Sequence, residues 1–170
     1  ASPWGGAMAR RKTVRGNLAE IRRTPDWFEA ARIDRLANQF EDRLDRLASL
    51  LDERKQHGWV RRGHGDLHLG NICLFEGQPT PFDALEFNAA LAWIDTIDDI
   101  AFLVMDLDHR GLRGLARLFL DRYLLASDDR GGLGVLPLYL ADRALVRAHV
   151  NRRIAMTDPT AAPRRKAEAL

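Results

Sequence analysis

The sequence predicts a predominantly helical α+β fold with one small β-hairpin set between helices. Three observations carry that expectation. Apolar residues recur at three- and four-residue steps through most of the chain, the spacing of amphipathic helices. One stretch, 72–83, breaks into two short extended runs about a turn. The composition, 46% hydrophobic and 29% charged over 170 residues with a net charge of +2, belongs to an ordinary globular unit long enough to bury a substantial core.

Residues 1–23 mix Gly, Pro and Arg with weak periodicity and read as a linker or interlobe segment holding one short helix near 17–23. Arg10, Arg11, Lys12, Arg15, Arg22 and Arg23 make this segment basic, opposed only by Glu20. No interleaved aromatics accompany the cluster, so it reads as a solvated or interdomain surface rather than a nucleic-acid contact. Thr24-Pro25-Asp26 has the chemistry of a helix start: a capping hydroxyl, a proline for the first helical position and an acid in the first turn. From there to Gln56, Phe28, Ile33, Leu36, Ala37, Phe40, Leu44, Leu47 and Leu51 form one apolar stripe. His57-Gly58 ends it.

Trp59-Val60 begins a short extended piece. The hairpin follows, with strands over 72–75 and 80–83 around Glu76-Gly77-Gln78-Pro79. After Asn88 the helical spacing returns: Ile97, Ile100, Ala101, Val104 and Leu107 share a face, and Gly111 closes it. Another helix covers 112–125 with Leu115, Leu118, Phe119 and Tyr123 inward. Residues 127–134 read as a polar loop. Within it Gly131-Gly132-Leu133-Gly134 lacks the strand and the spacing of a nucleotide loop. A last helix spans 136–156, and 157–170 reads as a frayed tail.

Nothing near residue 1 has the apolar core of a signal peptide, and the longest apolar runs are too short to cross a bilayer. Cys73 is the one cysteine, which excludes an internal disulfide and points to a reducing, cytoplasmic setting. Between Asp83 and Asp108 the acids Glu86, Asp95, Asp98, Asp99 and Asp106 accumulate without a Lys or Arg, as a stretch serving a divalent cation would.

The chemistry concentrates in His64-Gly65-Asp66-Leu67-His68-Leu69-Gly70-Asn71. Glycines at both shoulders argue for a folded loop rather than a helix. A hairpin returning from Asn71 would set Asp83 beside it, giving two oxygen donors suited to Mg²⁺, with Asp66 facing a substrate hydroxyl. Trp93 and Phe102 read as core and Cys73 as a small core hydrophobe. His68 reads as a loop-packing or substrate-side residue, and Asp95 and Asp98 as acids favoured by a helix N-terminus.

This loop, followed by Phe82-Asp83-Ala84-Leu85-Glu86-Phe87-Asn88 and by Trp93-Ile94-Asp95-Thr96-Ile97-Asp98-Asp99-Ile100-Ala101-Phe102, resembles the aminoglycoside phosphotransferase and choline-kinase-like family. The resemblance covers about 61–110 and implies the C-terminal lobe of a protein-kinase-like fold over 24–156. It implies Asp66 as the base that orients the acceptor hydroxyl, Asn71 and Asp83 as ligands of the Mg²⁺ that accompanies ATP, and His64 as a residue that shapes the catalytic loop. Asp99 would buttress the loop from the following helix. Glu86 stands three residues after Asp83 where many relatives have a spacing of two, so its role as an auxiliary acid and a structural role stay equally open.

The expected activity is transfer of the ATP γ-phosphate to a small-molecule hydroxyl. Lys12, Lys55 and Lys166 are the only lysines, and none lies in a strand that could cover phosphates. The chain is therefore expected to depend on a separate N-terminal ATP-binding lobe and to be inactive alone. Glu86 and Asp106 hint at a polar or cationic acceptor. Two other classes compete: a metal-dependent hydrolase with His64, Asp66 and His68 as ligands, and a non-catalytic kinase-like binding or regulatory module.

Overall fold

The structure is a computed structural model describing residues 4–23, 27–158 and 160. It is mostly helical, with two two-stranded sheets. Helix α1 (Gly6–Arg22) and helix α2 (Ala30–Gln56) are followed by β1 (Val60–Arg62) and a 3₁₀ turn (Leu69–Asn71). Next come β2 (Ile72–Phe75), β3 (Gln78–Pro81), α3 (Ala89–Ala92) and β4 (Trp93–Asp95). Helices α4 (Thr96–His109), α5 (Arg113–Ser127) and α6 (Gly132–Thr157) complete the order.

The core forms where α1, α2, α4 and α6 pack. Val14, Leu18 and Ile21 of α1 meet Ile33, Phe40, Leu44 and Leu51 of α2, Ile97 and Ala101 of α4, and Val135, Leu138 and Leu145 of α6. These residues recur at three, four and seven along their helices, so each presents one continuous apolar face. A smaller cluster joins Leu103 and Leu107 of α4 to Ala116 of α5. Gly58, at φ +78°, ends α2 as its position requires. The Trp59 N–H closes back on the Arg54 carbonyl at 3.0 Å, the bond of a Schellman terminus.

Several expectations change. The first segment is not a linker with a short helix but a 17-residue helix of the core. Its arginines are drawn inward or onto α2: Arg11 pairs with Glu41 and Asp45, and Arg15 with Glu41. The Thr24-Pro25-Asp26 helix start lies outside the described residues, as does nearly all of the expected tail. The hairpin turn has two residues rather than four, because Glu76 and Gly77 both take positive φ, the geometry that closes the tightest hairpins. Strand β3 therefore starts at Gln78 and ends before Asp83.

An antiparallel ladder between β1 and β4, Val60 opposite Asp95 and Arg62 opposite Trp93, was not expected. Of the expected inward face of α5, Phe119 and Tyr123 pack inward, whereas Leu115 and Leu118 are exposed and Ala116 takes the place against α4. Gly132 and Gly134 belong to the first turn of α6 rather than to a loop. Among the described residues, no helix is long and apolar enough to cross a membrane.

Candidate active site

The β1–β4 ladder carries the chain into the loop at residue 63, where the Gly63 N–H donates to the Ala92 carbonyl at 2.8 Å. Gly63 must be glycine, since a Cβ there would lie 2.3 Å from an Asp99 carboxylate oxygen. That close approach lets Asp99 accept the N–H groups of His64 at 2.6 Å and Gly65 at 2.8 Å. Gly65 turns the chain with φ +83°. Its carbonyl accepts from Arg143 Nη1 of α6 at 3.1 Å. Four residues on, the Leu69 N–H donates to Asp106 Oδ2 at 3.0 Å. Asp99 and Asp106 are seven residues apart on α4, two turns, and so share a face.

Inside the loop the two histidines and Asn71 are tied to backbone and to Asp66. His64 Nε2 lies 2.8 Å from the Phe82 carbonyl and must carry its hydrogen there. His64 Nδ1 then accepts the Asp66 N–H at 3.3 Å, so both ring nitrogens hold backbone. His68 Nδ1 accepts the Gly70 N–H at 3.1 Å, leaving Nε2 as the donor 3.4 Å from Asp66 Oδ2. The His68 ring also tilts against Phe102, centroids 5.5 Å apart. The Asn71 side-chain NH₂ donates to the Asp66 carbonyl at 3.0 Å and to its carboxylate at 3.1 Å.

These contacts bear on the Asp66 carboxyl. The His68 N–H holds its carboxyl below the usual carboxylate range, aided by the Asn71 amide and the Arg143 charge, against the opposing effect of partial burial. Asp99 goes the other way. Burial raises its pKa, and the nearby Arg143 and the two N–H donors do not fully offset that cost.

On the other side of the site, β2 pairs with β3 with Ile72 opposite Pro81, and the Phe82 N–H donates to the Asn71 carbonyl at 3.0 Å. Asp83 follows one residue later, exposed and at φ +62°. That left-handed conformation is rare for a side-chain-bearing residue, though aspartate tolerates it better than most, and it breaks strand alternation at this point. Glu86 is exposed.

The Asn71 amide uses its nitrogen on Asp66, which leaves its oxygen directed away from that carboxylate. Among the described residues, no three His, Cys, Asp or Glu side chains converge as a metal site. The His64/Asp66/His68 hydrolase arrangement is therefore not formed.

Four acids of the run, Asp95, Asp98, Asp99 and Asp106, are buried and face protein partners. Arg54 of α2 spans Asp95 and Asp129, with Nε 2.7 Å from Asp95 and Nη1 2.6 Å from Asp129. Asp95 also caps α4 through the Ile97 N–H at 3.1 Å. Asp98 is 1% exposed and lies between Arg10 of α1 and Arg143 of α6. The positive charges missing from the run thus arrive from three other helices. Asp106 holds Leu69 and Arg110, so it does not stand as a free charge for a cationic acceptor. Cys73 and Trp93, expected in the core, are exposed, whereas Phe102 is buried.

Arg10, Arg143 and Asp106 are the residues sequence reasoning missed in these roles. The signal available was the seven-residue spacing of Asp99 and Asp106 and the lack of local counter-charge. A cavity of about 220 Å³ borders Asp66 and Gly65, lined also by Arg10, Leu85, Trp93 and Arg143.

No family model matches the chain, and no solved structure matches it. Over 149 residues it is 38% identical to the uncharacterized proteins Rv2004c and MT2060 of Mycobacterium tuberculosis and Mb2027c of Mycobacterium bovis, covering 85% of this chain and 29% of each relative. The chain thus spans less than a third of the length of the curated relatives it matches.

Proposed function

We propose that this chain is the catalytic lobe of an ATP- and Mg²⁺-dependent phosphotransferase acting on a small-molecule hydroxyl, of the aminoglycoside phosphotransferase-like kind, that works with an ATP-binding lobe in a longer protein. The observation that carries the reading is the linkage of Asp66 to Asn71, whose amide donates to the carboxylate at 3.1 Å, with Asp83 one residue beyond the ribbon partner of Asn71. A base, an amide oxygen and a second carboxylate in that order supply what phosphoryl transfer asks of a protein: positioning and charge neutralisation. Asp66 is ionised at neutral pH, as an aspartate whose pKa is lowered must be, so it accepts a hydrogen bond from the acceptor hydroxyl and aligns it for attack. Mg²⁺ would be held by Asn71 and Asp83 and would neutralise charge on the transferring phosphate. The cavity beside Asp66 is the natural entry for the acceptor.

The test is ATP turnover by the full-length protein with Mg²⁺ and a panel of sugars, aminocyclitols and choline-like alcohols. Asp66→Asn should keep the fold and lower kcat by about 10²–10⁴-fold. Turnover that survives this substitution unchanged sinks the proposal, and so does a full-length protein that transfers no phosphate to any hydroxyl.

A further inference from the structure

We infer that Asp106 is a positioning residue for the metal-side half of the loop. By accepting the Leu69 N–H it fixes the 3₁₀ turn that delivers Asn71, while Asp99 separately fixes the half bearing Asp66. The inference rests on the phosphotransferase reading and deepens it.

A three-residue 3₁₀ turn has too few internal bonds to fix its own position. This one closes through the Asn71 N–H to the His68 carbonyl at 2.9 Å, the Ile72 N–H to the Leu69 carbonyl and the Gly70 N–H to the His68 ring. Beyond these its backbone bonds, among the described residues, only to the free-standing ribbon, at Phe82, and to Asp106. Something outside must say where Asn71 sits. Leu69 is tied to the body twice: its side chain packs on the Leu103, Leu107 and Ala116 cluster, and its N–H reaches Asp106 at 3.0 Å. Asp106 is 1% exposed. The oxygen that holds Leu69 also takes Arg110 Nε at 3.1 Å, and Arg147 Nε stands 3.9 Å from the other oxygen. Burying a carboxylate is costly unless charge and hydrogen bonds compensate it. Here two arginines compensate the charge, and the carboxylate directs a bond at a loop N–H two residues before Asn71. Partners of this kind behind a metal ligand set its orientation and are worth about 10- to 100-fold in metal affinity.

The test uses the ¹⁵N-labelled 170-residue chain with Mn²⁺ alone as probe. In the wild type, Mn²⁺ should broaden the Asn71 side-chain NH₂ and the Ile72 and Asp83 amides. Because coupling between sites is reciprocal, the metal should also slow hydrogen exchange at Leu69. Asp106→Leu should weaken Mn²⁺ binding about tenfold and speed exchange at Leu69, with His64 and Gly65 still protected by Asp99. Asp106→Asn, which can still accept the Leu69 N–H, should restore most of the Mn²⁺ affinity.

A folded Asp106→Leu variant with wild-type Mn²⁺ affinity overturns the inference. So does a wild type in which Mn²⁺ broadens Asn71 and Asp83 yet leaves Leu69 exchange unchanged, a result that needs no variant to fold. Either outcome leaves the phosphotransferase reading standing. No broadening at Asn71 and Asp83 in the wild type overturns the inference as well, while the phosphotransferase reading stands or falls on turnover by the full-length protein.

Discussion

Residues 64–69 hang from α4 and α6 by four backbone hydrogen bonds to Asp99, Asp106 and Arg143, all three of them buried. The neighbouring stretch, 72–87, is carried mainly by its own two-stranded ribbon, and Leu74, Phe75, Phe82 and Phe87 are exposed along it. A lone two-stranded ribbon is marginal in water. The two halves of the candidate site are therefore stabilised by different means. The half that carries Asp66 is pre-set by polar tethers reaching out of the helical body. The half that carries Asp83 depends on local pairing and a left-handed turn, with an apolar outer face left open.

The largest expected effect breaks the first half. Arg143 donates to Asp98 at 2.7 Å and to the Gly65 carbonyl at 3.1 Å, and its guanidinium lies over Phe102 at 4.7 Å. Arg143→Met would leave a buried carboxylate with Arg10 alone and strip a loop carbonyl of its donor. Urea unfolding should show a loss of about 3 kcal/mol. The matched change in the other half, Phe75→Ser, removes a side chain of a residue that is 62% exposed and should move stability by no more than about 0.5 kcal/mol. Equal losses from the two substitutions would erase the distinction between tethered loop and free-standing ribbon.

The same contrast explains what could be read from the sequence. The α2 and α4 stripes were legible because burial on one side imposes a repeat on the apolar residues. The loop was legible because its chemistry is packed into eight consecutive residues. Strands β1 and β4 were not, since three residues are too few to display alternation and their pairing joins positions over 30 residues apart. Helix α1 was hidden by composition: Val14, Leu18 and Ile21 have helical spacing, but they stand among arginines that look like surface and are in part structural. Arg10 is the clearest case, buried against Asp98 and Asp142. A buried charge and an exposed one are the same letter; only the partner, here 88 and 132 residues away, tells them apart. Asp95 and Asp98 mislead for the same reason, because their counter-charges come from α1, α2 and α6.

The smallest expected effect on stability separates two carboxylates, Asp66 and Asp99, within the tethered half. Asp66 is held below the ordinary 3.8 of an aspartate chiefly by the His68 N–H, and Asp99 is held above 3.8 chiefly by burial. Linkage gives these opposite signs. The Asp66 contribution is fully present above 3.8 and is lost as pH falls through its lower folded value. The Asp99 contribution grows as pH falls from its raised folded value to 3.8, because there the folded state binds the proton more tightly. The two partly cancel in a melting curve, so the measurement must resolve sites. In a carboxyl ¹³C titration Asp99 should protonate first, and the His64 and Gly65 amides it holds should shift with its midpoint. The Asn71 side-chain NH₂ should follow the later midpoint of Asp66, and Asp66→Asn should abolish that second step alone. The reverse order of protonation would make Asp99 the group stabilised as an anion and Asp66 the one burdened by burial, and the distinction between the tether Asp99 and the proposed base Asp66 would fall with it.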